Sequence, residues 1–306
     1  MTRRNTFLTV QTLLCILTAG LLAAAALTLY SDGAAKQAQG GLFEYIFTRE
    51  KAVAKLLPIL PFFFAAFGMT VAGLILGVRD ENQDNVLVSV SHGVFGVADG
   101  MGGGAEGAKA SATVCHELKM MTHVAGDTFE QRVSAVRASI VDANAAIYAY
   151  ATERGFSQMG STAAVIVFDP NDASRAAVMH IGDSRVYRIR RGLVSLLTRD
   201  HSVGRELSDF AGSRAADLRS RANPLTHVLT RAVGVKPAVY TEEREIDVLP
   251  GDRYLLCTDG VHDVVTDARL GVFVAAGNLE SAASRLAEEV VRCGAPDNYS
   301  FVLVST

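Results

Sequence analysis

The sequence shows no excess of charge of either sign. Its 29 Lys and Arg stand against 32 Asp and Glu, and a net charge of -3 supplies none of the positive field with which nucleic-acid binders reach phosphate. Nucleic acid is therefore not an expected partner. Paired cysteines are missing too: Cys15, Cys115, Cys257 and Cys293 are scattered without CxxC spacing, which excludes a zinc knuckle or a disulfide framework and leaves small hydrophobes in reducing surroundings. No internal repeat is present. Two phosphate-handling loops are absent as well. Gly102 to Lys109 reads GGGAEGAK, whereas a P-loop needs Lys directly after its last Gly and then Ser or Thr. No Cys is followed six positions on by Arg, so a cysteine-nucleophile phosphatase loop is excluded. His92, His180, His201 and His227 lack metal-ligand spacing and read as turn, core or surface residues.

What is present is apolar bulk. With 49% hydrophobic residues in 306, the chain can bury a real core, in one large domain or two ordinary ones. Phe7 to Tyr30 holds no charged residue, and as a helix it would span roughly 36 Å, enough to cross a bilayer. Arg3 and Arg4 precede it, and the run exceeds the usual signal-peptide core, although Ala23 to Ala26 imitates a cleavage site. Residues 1–55 are thus expected to be an uncleaved anchor, helical over about 7–30, followed by a linker broken at Gly40 and Gly41. A second uncharged run, Leu56 to Val78, is also long enough to cross. Past Pro58 and Pro61, its Phe62 to Val71 portion equally fits a strand buried on both faces, and periodicity does not separate the two.

From Val86 onward short apolar strands alternate with longer helical stretches. Val86–Val90 and Val94–Ala98 read as a hairpin. Ala177–Ile181 and Val186–Ile189 read as a second, turning at Gly182, Asp183 and Ser184, with Leu193–Leu197 continuing the meander. Helices are expected over Glu106–Met121, Thr128–Thr152 and Leu279–Arg292, and strands over Arg253–Cys257 and Phe301–Val304. The Arg-rich stretch Val203–Asn223 has helical propensity and reads as a surface flap or a solvated helix face.

The carboxylates carry the chemistry. Asp84 precedes the first strand of the first hairpin and Asp99 follows the second, so antiparallel pairing brings both to one end. Asp183, Asp259 and Asp297 also sit at strand ends. Singly, each reads as a turn former. Together they form a set that cannot all ionise in one pocket without hard divalent cations such as Mg2+ or Mn2+ to neutralise it. Such ions imply phosphate chemistry: a pair of them would acidify a bridging water and stabilise an in-line displacement with no protein nucleophile. The glycines after Asp99 let backbone approach closely, so the carbonyl of Gly100 is a further candidate ligand.

In order along residues 62–306 come Arg79 with Asn82-Gln83-Asp84, Asp99-Gly100-Met101-Gly102-Gly103, Gly160-Ser161-Thr162 and Gly182-Asp183-Ser184-Arg185. Asp200-His201-Ser202, Leu229 to Gly234, Thr258-Asp259-Gly260 and Asp297-Asn298 follow. In these motifs the chain resembles the metal-dependent, protein phosphatase 2C-like (PPM) family, bacterial type. The resemblance implies an α+β fold, a four-layer αββα sandwich of two antiparallel β-sheets flanked by helices, here preceded by an N-terminal transmembrane helix. It implies a domain over 62–306, with 56–61 as boundary and a first strand over Phe63 to Ala72, which favours strand over a second crossing within 56–78. By the same resemblance Asp99 would bridge two catalytic ions, Gly100 would contribute its carbonyl, and Asp259 and Asp297 would complete the ligands. Asp183 would serve a third, weaker ion, Asp84 would orient metal-bound water, and Arg79 would hold the substrate phosphate. Arg185, His201 and Arg231 would be structural. Gln83 replaces a common glutamate, and Met101 stands where animal members have a histidine proposed as general acid, leaving that role to metal-bound water.

The implied activity is metal-dependent hydrolysis, with Mn2+ or Mg2+, of phosphoserine and phosphothreonine proteins, a protein kinase among them. A catalytically silent, membrane-displayed phosphate-sensing or scaffolding domain is the rival reading. The membrane is the other expected partner. A single anchor with Arg3 and Arg4 inside would put the domain outside and a helical hairpin would return it; the cytoplasmic side is expected.

Overall fold

The computed structural model describes residues 63–64, 70–75, 79, 81–122, 128–211 and 224–306. The expected anchor helix at 7–30, the linker and the 56–61 boundary lie outside them. Among the described residues, no helix is long and apolar enough to cross a membrane.

The strands are β1 (Phe63–Phe64), β2 (Thr70–Ile75), β3 (Asp84–Ser89), β4 (Val94–Met101), β5 (Gly160–Ser161), β6 (Ala163–Phe168), β7 (Arg175–Ile181), β8 (Arg185–Arg190), β9 (Leu193–Leu196), β10 (Glu242–Asp247), β11 (Arg253–Cys257) and β12 (Tyr299–Ser305). The helices are α1 (Gly104–Thr122), α2 (Phe129–Arg154), α3 (Val203–Ala211), α4 (Asp259–His262), α5 (Asp267–Ala275) and α6 (Leu279–Arg292). Local sequence chemistry sets several ends. Thr128 and Gln131 close a capping box on α2, and the Asn278 side chain accepts from the Ser281 N–H to start α6.

Two antiparallel sheets form. Sheet 1 runs β1-β2-β12-β11-β8-β9 and sheet 2 runs β10-β7-β6-β4-β3, with β5 pairing the end of β4. Three apolar clusters bind four layers together. Phe95, Ile166, Val186, Tyr254, Leu256 and Val302 fill the space between the sheets. Val114, Leu118, Val136 and Ile140 of α1 and α2 cover the outer face of sheet 2, and Leu270, Val274, Leu286 and Val290 of α5 and α6 cover that of sheet 1. Phe168 stands edge-on to both Phe95 and Tyr254, at ring separations of 6.0 and 5.6 Å, which adds about 1 kcal/mol per pair to simple burial.

The structure corrects the sequence reading in specific places. Ala177–Ile181 and Val186–Ile189 are not a hairpin: β7 pairs with β6 and β10 in sheet 2, while β8 pairs with β11 and β9 in sheet 1. Gly182 to Ser184 therefore carry the chain from one sheet to the other. A continuous strand over Phe63 to Ala72 is replaced by β1 and β2, which pair with each other, and β2 then pairs with β12. The part of the 56–78 run from Thr70 to Ile75 is thus sheet. Within the expected flap, Val203–Ala211 is helical and 212–223 lie outside the described residues. The sequence reading omitted β6, β10 and α5. β6 (AAVIVF) is apolar throughout because both its faces are covered, and β10 (EEREID) is a charged edge whose Glu243 and Glu245 pair with Arg137 and Arg175.

Candidate active site

Register decides where the acids meet. Asp84 and Asp99 are direct partners across the β3–β4 ladder, at the end of sheet 2. Cys257 pairs with Arg185 and with Phe301, so Asp259 after β11, Asp297 before β12 and Asp183 at the sheet-to-sheet crossover all lie at the corresponding end of sheet 1. Asp84 is 2% exposed and Asp183 8%. The carboxyls of Asp99 and Asp259 come within hydrogen-bonding range of each other, and Asp84 feels the charges of both Asp259 and Asp297. All five predicted aspartates are brought together.

Backbone follows the acids closely. The Gly100 N–H donates to the Gln83 carbonyl at 3.0 Å, and a Cβ on Gly100 would fall on the Gly107 carbonyl in the first turns of α1. A Cβ on Gly260 would collide with the Asn298 carbonyl. Only glycine lets these strand ends pack so tightly.

Polar residues that the sequence reading quoted as motifs, without giving them roles, hold the acids in place. Thr162 accepts from the Asp99 N–H at 2.9 Å, donates its own N–H to the Asp99 carbonyl at 2.8 Å, and shares a 2.7 Å hydroxyl contact with Ser184, next to Asp183. Asn298 accepts the Gln83 N–H at 2.9 Å, which joins the Asp297 turn of sheet 1 to the Asp84 turn of sheet 2. The Thr258 hydroxyl donates to Asp84 Oδ2 at 2.9 Å. His262, which the sequence did not single out, donates from Nε2 to the Asp183 carbonyl at 3.0 Å. For Ser184, Thr258 and Asn298 the signal was position, since each flanks an acid of the cluster; Thr162 and His262 carried no such signal.

The electrostatics are those of a site short of positive charge. Burial above all, with the charges of Asp259 and Asp297, pushes the Asp84 carboxyl up to about 7 against the hydroxyls of Ser300 and Thr258. Burial and neighbouring acids hold Asp99 and Asp183 well above the carboxylate range, and burial raises Asp259 as well. Among the described residues, no Lys or Arg forms an ion pair with Asp84, Asp99, Asp183 or Asp259. Asp84 Oδ1 and Asp259 Oδ1 are buried with no hydrogen-bond partner. Unpaired carboxylate oxygens gathered at one site are the donor set that hard divalent cations take, so the residues present fit such ions.

Arg79 stands at the rim, largely exposed, with its guanidinium 2.6 Å from Asp297. His227 is a surface residue as expected, yet it lies beside Asp259 and Asp263, 3.3 Å from the latter. Arg185 is structural as expected: it grips Asp200 with two bonds of 2.9 and 2.6 Å and holds that acid, despite its burial, below the usual carboxylate range. His201 stacks on His180 with ring centroids 4.7 Å apart. It accepts from the Gly182 N–H at Nδ1, which leaves the proton on Nε2 facing Glu242 and no nitrogen for a metal. Arg231, expected to be structural as well, is exposed, and its charge acts on both His180 and His201.

A family model described as Protein phosphatase 2C matches residues 78–298. The chain belongs to the protein phosphatase 2C family. It is similar to the serine/threonine protein phosphatase PstP of Mycobacterium tuberculosis, 33% identical over 232 residues, a match covering 74% of this chain and 42% of that protein. The chain thus spans about two fifths of that relative's length. Among solved structures, PppA of Pseudomonas aeruginosa, a regulatory component of T6SS, superposes with a TM-score of 0.69 at 31% identity, covering 78% of this chain and 97% of that one. The catalytic domain of PstP in complex with 2 manganese ions gives a TM-score of 0.65 at 32% identity, covering 77% and 96%. The two sheets and flanking helices described above are thus the protein phosphatase 2C architecture.

Proposed function

We propose that this chain hydrolyses phosphoserine and phosphothreonine in proteins with the help of divalent metal ions. The observation that carries the reading is the cluster itself: aspartates from both sheets, four of them without a Lys or Arg ion pair among the described residues, and two of those with buried oxygens that have no hydrogen-bond partner there. The names of its relatives support the substrate class, and the manganese in the PstP catalytic domain supports the metal class. Asp99, the Gly100 carbonyl, Asp259 and Asp297 would hold two ions of Mn2+ or Mg2+, and Asp183 a third. Bound there, such ions acidify water and polarise a phosphoryl group.

The remaining roles fall to side chains. Arg79, an exposed guanidinium at the rim, would hold the phosphate, because its planar fork pairs with two phosphate oxygens at once. Asp84, with Oδ2 already bonded and Oδ1 free, would accept a hydrogen bond from the attacking water and orient it in line. No thiol competes as nucleophile in the core: burial pushes Cys115 up to about 12 and Cys257 higher still. A silent phosphate-sensing module finds no support in these features, because phosphate binding alone gains nothing from crowded anions.

The test is hydrolysis of a phosphopeptide by the full chain with Mn2+, with and without chelator, beside Asp259→Asn. Turnover that disappears with chelator and in the variant supports the reading; equal turnover in all arms overturns it. The proposal extends to location, with the chain tethered to the membrane through residues 7–30 and the catalytic domain on the cytoplasmic side; the uncharged run supports the tether. An impermeant thiol label that reaches the exposed Cys293 of the catalytic domain in intact cells would refute the cytoplasmic placement.

A further inference from the structure

Thr258 makes a contact that does more than fasten the two sheets. It sits between β11 and α4, beside Asp259, and is wholly buried. Its N–H donates to the Ser300 carbonyl at 3.0 Å and its hydroxyl oxygen accepts the Ser300 N–H at 2.9 Å, so the side chain is pinned to β12. The hydroxyl proton then has two acceptors in reach: the Ser300 carbonyl at 3.4 Å and Asp84 Oδ2 at 2.9 Å. The shorter, charge-assisted bond wins. It crosses from sheet 1 to sheet 2, between residues 174 positions apart.

The effect on Asp84 is specific. Its N–H is already held by Asn82 Oδ1 at 3.0 Å, so backbone and one carboxylate oxygen are both fixed. Rotation of the carboxyl would break the Thr258 bond and leave a buried hydroxyl without its better acceptor. Only Oδ1 is left open to whatever enters the cluster.

We propose that Thr258 is a positioning residue for the hydrolysis inferred above, on which this inference rests: by occupying Oδ2 it dictates which oxygen of Asp84 meets the water and the ions. Its partner on the other side of the cluster, the Asn298 bond to the Gln83 N–H, sets the height of the same turn. Side chains that orient the groups around a metal typically matter by roughly 10- to 100-fold in affinity or activity.

The experiment uses the full chain as wild type, Thr258→Val, Thr258→Ser, Asp84→Ala and the double variant Thr258→Val/Asp84→Ala. Valine keeps the shape and the Thr258 N–H bond to the Ser300 carbonyl while removing the hydroxyl, with its bonds to Asp84 and from the Ser300 N–H; Thr258→Ala replaces it if the valine variant does not fold by circular dichroism. Mn2+ isotherms are measured on metal-free protein by calorimetry, and kcat and KM on p-nitrophenyl phosphate. Thr258→Val should lower kcat about tenfold or more with KM within about twofold, and should weaken Mn2+ binding several-fold. Thr258→Ser should restore both, and the double variant should match Asp84→Ala. Wild-type binding and turnover in Thr258→Val, no rescue by serine, or a valine penalty that persists without Asp84 would each overturn the proposal. A wild-type chain that hydrolyses no phosphomonoester would sink the functional reading instead, and the Mn2+ isotherms would still decide the role of Thr258.

Discussion

Withholding metal should turn the acid cluster into a pH-dependent liability, and Asp84 gives its size. Its carboxyl rises from an ordinary 3.8 to about 7 in the folded protein. At about 1.4 kcal/mol per pH unit, a rise of about three units is ~4 kcal/mol. The sign follows from proton counting. Between those two values the folded protein keeps a proton that the unfolded chain has lost, so stability is highest below about pH 4 and falls as pH rises, with the whole cost present above 7. Urea unfolding of chelated wild type and Asp84→Asn from pH 4 to 8.5 measures it, and subtracting the two curves removes other titrating groups such as His180 and His201. Near pH 4 the two proteins should be equally stable. At pH 8 the wild type should be less stable by an amount on the order of 4 kcal/mol, and saturating Mn2+ should abolish or reverse the gap. A difference that is flat across the range, or grows toward acid, would refute the account of the cluster.

Other outcomes follow from single contacts. Arg79→Ala should raise KM for a phosphopeptide about tenfold or more, and Arg79→Lys should not restore it, because an ammonium lacks the fork; steady-state kinetics decide. Asp200→Ala leaves the largely buried Arg185 without its two bonds and should cost about 3 kcal/mol in urea unfolding, where a loss under about 1 kcal/mol would show the pair to be dispensable. Gly260→Ala forces a methyl onto the Asn298 carbonyl and should lower both the melting temperature and turnover; an unchanged melt would mean the turn can give way.

Much of this architecture could be read along the chain because its signals are local. Arg253–Cys257 and Leu279–Arg292 have the boundaries that alternation and three-to-four spacing indicate, and the first hairpin pairs as its turn suggests. The Gly182–Asp183–Ser184 turn shows where local signals stop. Two short apolar strands around a glycine look the same whether they pair with each other or part into different sheets, and only their other partners decide: β6, just before β7, and β11, far along the chain from β8. β10 escaped notice for the opposite reason, since a charged edge strand lacks apolar alternation. At the site the acids were legible by type and position. Thr258 and Asn298 acquire their roles only across the gap between sheets, between residues more than 170 positions apart, which no spacing rule detects.

The placement of β12 has a consequence for synthesis. Tyr299–Ser305 is inserted between β2 and β11, and Asp297 stands at its entrance, so in a nascent chain β2 has no neighbour but β1 until residue 305 has cleared the ribosome. Until then sheet 1 is split into β1-β2 and β11-β8-β9, and the acid cluster lacks Asp297.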